Sequence, residues 1–153
     1  MSVKLPTGVE QKYDKFIIRE YQYWTLLLHE DQRYLGRSYL WLRRPGKMQS
    51  LFELHPQEEF EKIRIGSRFE FAIRKLWQAD HFNYAWLGND IDTHGGHGHM
   101  HLIPRYKDKR VFAKNIFFDG RWKQNYSPYA PLKMPKSVLH KIRDALREAI
   151  QLF

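Results

Sequence analysis

The chain has no cysteine among its 153 residues. Disulfides and Cys-ligated zinc are therefore excluded, and His and four Met are the only softer metal ligands left. No apolar run approaches the ~18 residues that a membrane span needs. Met1 to Glu20, broken by Pro6, Gly8 and charges, does not read as a signal peptide, so a cytoplasmic protein is the expectation. There is no internal repeat and no low-complexity segment. Acidic residues are scarce beside basic ones, 17 against 26, for a formal net charge of +9.

What is present points to a packed globule. Hydrophobic residues make up 42% and aromatics 16% of the chain, far from a disordered composition. The length suits one core, so residues 1–15 are expected as a polar N-terminal arm and residues 16–153 as a single domain. Between Leu102 and Asn125 seven basic residues (Arg105, Lys107, Lys109, Arg110, Lys114, Arg121, Lys123) face only Asp108 and Asp119. Such a segment concentrates polyphosphates, suits a nucleic-acid backbone, or simply forms a solvated basic surface. The nucleic acid is the less favoured partner.

Local patterns sketch the elements. Phe16 to Ile18, Tyr23 to Leu28 and Ser38 to Leu42 read as short strands, rich in β-branched and aromatic residues. Between the last two, His29 to Gly36 reads as a polar turn, with Gly36 able to take a positive φ. Arg43-Arg44-Pro45-Gly46 ends the following strand. His55-Pro56 opens a helix with Glu58, Glu59 and Glu61 near its positive end. Its apolar residues, from Phe60 to Trp77, follow a 3.6 period, with a weak spot at Gly66-Ser67 and an end near Ala79-Asp80-His81. Asn83 to Asn89 reads as a strand, Val111 to Tyr129 as an aromatic and irregular stretch, and Lys136 to Phe153 as an amphipathic helix.

The chemistry gathers at His94-Gly95-Gly96-His97-Gly98-His99-Met100-His101-Leu102-Ile103-Pro104-Arg105, which holds four of the eight histidines. His97, His99 and His101 alternate. In an extended strand such residues line one face, their Cα atoms about 6.6 Å apart from one to the next. Leu102 and Ile103 suit a strand, and Pro104 its end. Three readings are open: a strand that merely happens to be His-rich, a metal site, or a phosphate-transfer site in which one imidazole attacks phosphorus while its neighbours bind oxygen. His94, ahead of the alternation, is equally a fourth phosphate contact or an exposed loop residue.

His97-Gly98-His99-Met100-His101-Leu102-Ile103 resembles the motif of the histidine-triad (HIT) family: three alternating His separated by single residues and followed by two apolar ones. Pro104-Arg105 matches many bacterial members. Asn83 to Asn89 resembles the strand before the motif, and Tyr23 to Leu28 and Tyr39 to Pro45 resemble the early strands, so the likeness covers roughly residues 16 to 106. Gly98, in the first slot between histidines, and Gly95-Gly96 depart from the usual pattern.

The resemblance implies an α+β fold, an antiparallel, roughly five-stranded sheet with two helices, usually in a two-fold homodimer. It implies a nucleotide substrate and chemistry at the α-phosphate, as in diadenosine polyphosphate hydrolases and phosphoramidases. By that resemblance His99 would attack phosphorus to form a nucleotidyl-histidine that water hydrolyses. His101 would contact a phosphate oxygen and help the leaving group, and His97 would orient the nucleophile. It further implies substrate contacts from Asp31 (ribose), Asn89 (phosphate or ribose) and Thr93. A turn-stabilising role for Asp31 and a loop-capping role for Asn89 compete with these. No cofactor or protein-held metal is expected; Mg2+ enters only in company with a polyphosphate. Two alternatives stand beside this enzyme: a nucleotide-binding module with negligible turnover, and a His-ligated metal protein.

Overall fold

The computed structural model describes residues 7–44, 46 and 50–151. Residues 1–6, 45, 47–49 and 152–153 lie outside that description, and with them the start of the expected arm, part of the expected stop after the 38–42 strand and the last residues of the C-terminal helix. The arm from Thr7 onward lies against the sheet. The Thr25 hydroxyl donates to the Thr7 carbonyl at 2.7 Å, and a 3-10 turn over Gln11–Phe16 buries Phe16.

The architecture is α+β. An antiparallel sheet of five strands runs in the order β1-β2-β3-β5-β4, where β1 is Ile17–Glu20, β2 Trp24–Leu28, β3 Ser38–Leu42, β4 His81–Trp86 and β5 His99–Arg105. A separate hairpin pairs β6 (Arg110–Phe112) with β7 (Asn115–Phe117). Two α-helices, α1 (Pro56–Trp77) and α2 (Lys136–Gln151), accompany the sheet, with short 3-10 turns at Gln11–Phe16, Leu51–Glu53 and Gly88–His94.

Strand alternation divides the sheet into two faces. Trp24, Leu26, Leu28, Leu40, Leu42 and Leu102 point toward the helices and pack with Ile65, Phe69, Ile73, Ile142 and Leu146. Each such side chain taken fully out of water contributes about 1.5–3 kcal/mol. The apolar residues of α1 that are buried (Ile65, Phe69, Ala72, Ile73, Trp77) recur at helical spacing, which is why this helix runs through Gly66-Ser67 without a break. It starts where the Glu58 carboxylate accepts from the His55 amide at 2.8 Å. It stops earlier than the sequence implies, at Trp77, because Gln78 turns left-handed with φ 52°. Gly36 has the expected positive φ, +86°, and a Cβ there would meet Ile73 Cδ1 at 2.4 Å, so the β2–β3 turn reaches α1 only through glycine.

Two further boundaries differ from expectation. The strand expected over Asn83 to Asn89 is shifted to His81–Trp86, and a 3-10 turn over Gly88–His94 takes up the rest. Pro104 does not end β5, which runs one residue further. Pairing with β3 stops at Ser38↔Leu102, so beyond that point β5 has β4 alone as a neighbour and a residue without an N–H is tolerated.

The other face carries Thr25, Tyr39, Trp41, His99, His101 and Arg105. The irregular segment after β7 crosses it and is tied down residue by residue. Asp119 takes Arg105 Nε at 2.7 Å and Nη2 at 3.0 Å, both partners being buried. Arg105 also donates to the Asn83 side chain at 2.6 Å and to the Gln124 carbonyl at 3.0 Å. The Tyr34 hydroxyl donates to the Tyr126 carbonyl and Arg33 Nε to the Ala130 carbonyl, each at 2.6 Å.

Candidate active site

Pairing across the sheet supplies the floor of the site. Trp41 lies opposite His99, and Tyr39 opposite His101. The Trp41 and His99 rings stack at 4.9 Å with an 18° tilt, and Tyr39 sits 4.8 Å from the His101 ring. His99 and His101 are 5.4 Å apart, edge to face, and only 1% and 6% exposed. Two imidazoles are therefore held rigidly side by side by aromatic neighbours.

Hydrogen bonds decide where the ring protons sit. A carbonyl only accepts, so His97 Nδ1, 2.9 Å from the Leu42 carbonyl, carries the proton. His99 Nδ1 likewise donates to the His97 carbonyl at 3.4 Å, so that in a neutral His99 ring the lone pair is on Nε2. His97 itself precedes the strand, which begins at His99, so the three histidines do not form one strand row as the alternation implies. The His97 ring instead turns to the end of β3, with Gly8 close by. A Cβ on Gly8 would lie 2.6 Å from the Leu42 oxygen and 3.2 Å from His97 Nδ1, so only glycine lets the N-terminal segment close over this point.

Asn89 and Thr93 are exposed on the 3-10 turn between β4 and the triad, not at a strand end. The His94 side chain lies outside the described residues. Asp31 lies on the turn between β2 and β3. Its Oδ1 accepts from the Arg33 amide at 2.9 Å and its Oδ2 from the Leu132 amide at 3.1 Å, the bonds of a turn-stabilising aspartate.

Three further residues belong to the site, and none was singled out from the sequence. Asp90, beside Asn89, brings a carboxylate oxygen to 3.8 Å from His99 Nε2. His29 continues the face of β2, with its ring 4.5 Å from Tyr39 and 6.2 Å from His101. Its Nδ1 accepts from the Asp31 amide at 2.9 Å, and burial, reinforced by Arg37 and His101, holds its pKa well below the ordinary 6.5. Arg37 is the third: buried at 4% exposure, it reaches His101 Nδ1 at 3.4 Å. The available signal was parity: residues two before Tyr39 and two after Leu27 fall on the triad face once the β2–β3 register is known.

Beside the triad, an open cleft of about 880 Å³ runs between β4 and the crossing segment, lined by Asn83, Ala85, Leu87, Gln124, Asn125 and Tyr126 among others. Ala85 is the β4 partner of His101, so the cleft adjoins the triad without containing its rings. Among the described residues no group of three or more His, Cys, Asp or Glu is arranged to hold a metal ion. Nor is any described helix long and apolar enough to cross a membrane.

This sheet order and the paired imidazoles on β5 define the histidine-triad fold, which the chain shares with solved structures. A histidine triad protein from Sinorhizobium meliloti superposes with a TM-score of 0.70 at 17% identity, covering 92% of this chain and 94% of that one. One from Bradyrhizobium japonicum gives 0.66 at 20% identity, over 93% and 96%. A third, described as a hypothetical histidine triad nucleotide-binding protein from Sulfolobus tokodaii, gives 0.65 at 15% identity, over 90% and 84%. No family model matches the chain, and no curated protein matches it by sequence. The likeness, together with the quoted motif, makes this a chain of HIT fold that resembles the HIT family.

Proposed function

We propose that the protein binds nucleotides and is a HIT-type hydrolase or nucleotidyl transferase. It acts at the α-phosphate of a dinucleoside polyphosphate or nucleoside phosphoramidate. The observation that carries this reading is His99: its Nδ1 donates to the His97 carbonyl, its ring is stacked on Trp41, and in the neutral ring the lone pair is on Nε2. A neutral imidazole so oriented is an effective nucleophile at phosphorus. In the first step Nε2 bonds to the α-phosphorus as the bond to the leaving group breaks. In the second, water displaces His99, releases the nucleoside monophosphate and returns a proton to solvent.

The remaining roles follow from chemistry at these positions. His101 stabilises charge on phosphate oxygen, and His97 holds the backbone carbonyl that orients the nucleophile. Asn89, Thr93 and His94, on the turn beside His99, meet phosphate or ribose, whereas Asp31 acts through the turn it stabilises. The Lys and Arg side chains between residues 107 and 123 raise the local concentration of polyphosphate, with Mg2+ arriving on the substrate. We assign the chain to the cytoplasm and to a two-fold homodimer. The exposed apolar residues Phe60, Ile63 and Phe71 of α1 supply a surface for it, which light scattering checks.

One observation favours a second reading, a binding module with negligible turnover. His99 is 1% exposed, and the Asp90 carboxylate stands at the approach to its Nε2. Calorimetric titration with AMP, together with AMP release from diadenosine tetraphosphate and adenosine phosphoramidate, separates the two. The enzyme reading expects turnover that His99→Gln abolishes while binding survives. Binding without release supports the module; no binding at all ends both.

A further inference from the structure

Arg37 is a buried guanidinium with no carboxylate within ion-pair distance among the described residues. It enters at the head of β3 on the triad face and is 4% exposed. One nitrogen donates to the Tyr129 hydroxyl, and the group lies 5.4 Å and 5.3 Å from the ring centroids of Tyr126 and Tyr129. Its Nε is buried without a hydrogen-bond partner among the described residues. Burial lowers the Arg37 pKa, yet a guanidinium stays charged in proteins. Its remaining contact is Nη2 to His101 Nδ1 at 3.4 Å.

That contact has a direction. Arginine only donates, so His101 Nδ1 accepts, and the single proton of the neutral ring sits on Nε2. The other two histidines of the triad are the reverse: each donates from Nδ1 to a carbonyl. A second proton on His101 would have to sit on Nδ1, pointing an N–H at the guanidinium N–H already there. A neutral imidazole can donate a hydrogen bond from Nε2. It cannot surrender that proton, because an imidazolate would remain.

We propose that Arg37 is a positioning residue that fixes His101 as a neutral Nε2–H donor, and that the site thereby selects nucleotides whose leaving group departs as a stable oxyanion. The second clause rests on the α-phosphate chemistry proposed above; the first does not. With a polyphosphate, the His99 Nε2–phosphorus bond forms while the bridging P–O bond breaks. The electron pair leaves on a phosphate oxygen that needs no proton, and the His101 N–H stabilises charge on the transferring group. With a phosphoramidate the pair would leave on nitrogen, and an amine must take a proton as it goes. His101 held in this state has none to give.

The test reads the imidazoles directly. Two-bond ¹H–¹⁵N correlation spectra of the full-length, ¹⁵N-labelled protein, with His101 assigned by loss of its signals in His101→Gln, report which ring nitrogen is protonated. The expected wild-type result is a protonated Nε2 and a bare Nδ1. Arg37→Lys keeps that pattern, since ammonium also only donates. Arg37→Met, which leaves no buried charge, shifts it toward the averaged signals of mobile tautomers. The ratio of kcat/KM for diadenosine tetraphosphate over adenosine phosphoramidate then falls by on the order of 10–100-fold in Arg37→Met and recovers in Arg37→Lys, as a general acid becomes available. A proton on Nδ1 in the wild type, a spectrum in folded Arg37→Met identical to wild type, or an unchanged ratio despite a changed spectrum overturns the proposal. The wild-type spectrum decides the first clause even if Arg37→Met fails to fold. Absence of turnover on both substrates with the expected spectrum instead contradicts the α-phosphate reading and leaves the tautomer assignment standing.

Discussion

The two faces of the same sheet are built by different rules, and β5 carries both. Met100 and Leu102 point to the helices, where hydrocarbon meets hydrocarbon and volume is what matters. His99, His101 and Arg105 point the other way and are as well buried, at 1%, 6% and 3% exposure. There polar groups taken from water meet partners that fix a proton or a charge: the His97 carbonyl for His99, Arg37 for His101, Asp119 for Arg105. One face specifies stability, and the other specifies chemistry at the expense of stability.

The sharpest way to separate the faces is to remove one ring from each. His99→Gln is expected to cut turnover by roughly four orders of magnitude or more, while thermal unfolding shifts by only a few degrees. Phe69→Ala on the helix face reverses the pattern. It costs about 3–5 kcal/mol in denaturant titration, with kcat per folded molecule unchanged.

Asp119→Ala blurs the division, because it leaves the Arg105 guanidinium buried and unpaired beneath the crossing segment. A loss of about 3 kcal/mol is expected, accompanied by a raised KM as that segment loosens. Loss of stability with KM unmoved would confine the segment to a structural role. Asp90→Asn removes a negative charge from beside the incoming phosphate, and AMP binding by calorimetry should tighten by roughly fivefold, the worth of about 1 kcal/mol of like-charge repulsion.

The smallest effect is in pH. His29 has a folded pKa well below its unfolded value near 6.5, so the folded state prefers it neutral. Its contribution is fully present above that unfolded value and is lost as pH falls below it toward the lower folded pKa. Stability followed by urea titration from pH 7.5 downward should decline over that window. His29→Gln should flatten the decline, and an equal slope in the two proteins would show that His29 is not the group responsible.

Much of the helix face was legible because it obeys periodicity. The 3.6 spacing of α1 and the aromatic, β-branched runs of β2 and β3 give elements within a few residues of those observed, and Gly36 takes the positive φ its turn requires. The boundaries that moved did so for local reasons. Gln78 ends α1 early in a left-handed conformation, the Gly88–His94 turn displaces the end of β4, and β3 stops short of Pro104. The triad face was legible only at its motif. His99 and His101 announce themselves by alternation, but His97 precedes the strand and its ring bonds the Leu42 carbonyl. Arg37, His29 and Asp90 reach the site through pairing register and a turn, neither of which has a sequence period. Asp31 was open between a ribose contact and support of its turn, and its oxygens accept from the Arg33 and Leu132 amides.

The central claim is that His99 is a nucleophile at phosphorus, and rapid-quench labelling tests it most directly. Protein mixed with α-³²P-labelled diadenosine tetraphosphate is quenched and assayed for acid-labile label retained on the chain. The account predicts label on the wild type, none on His99→Gln, and label still formed, more slowly, on His101→Gln. Turnover that proceeds with no protein-bound label at any time, or label that persists in His99→Gln, would contradict it.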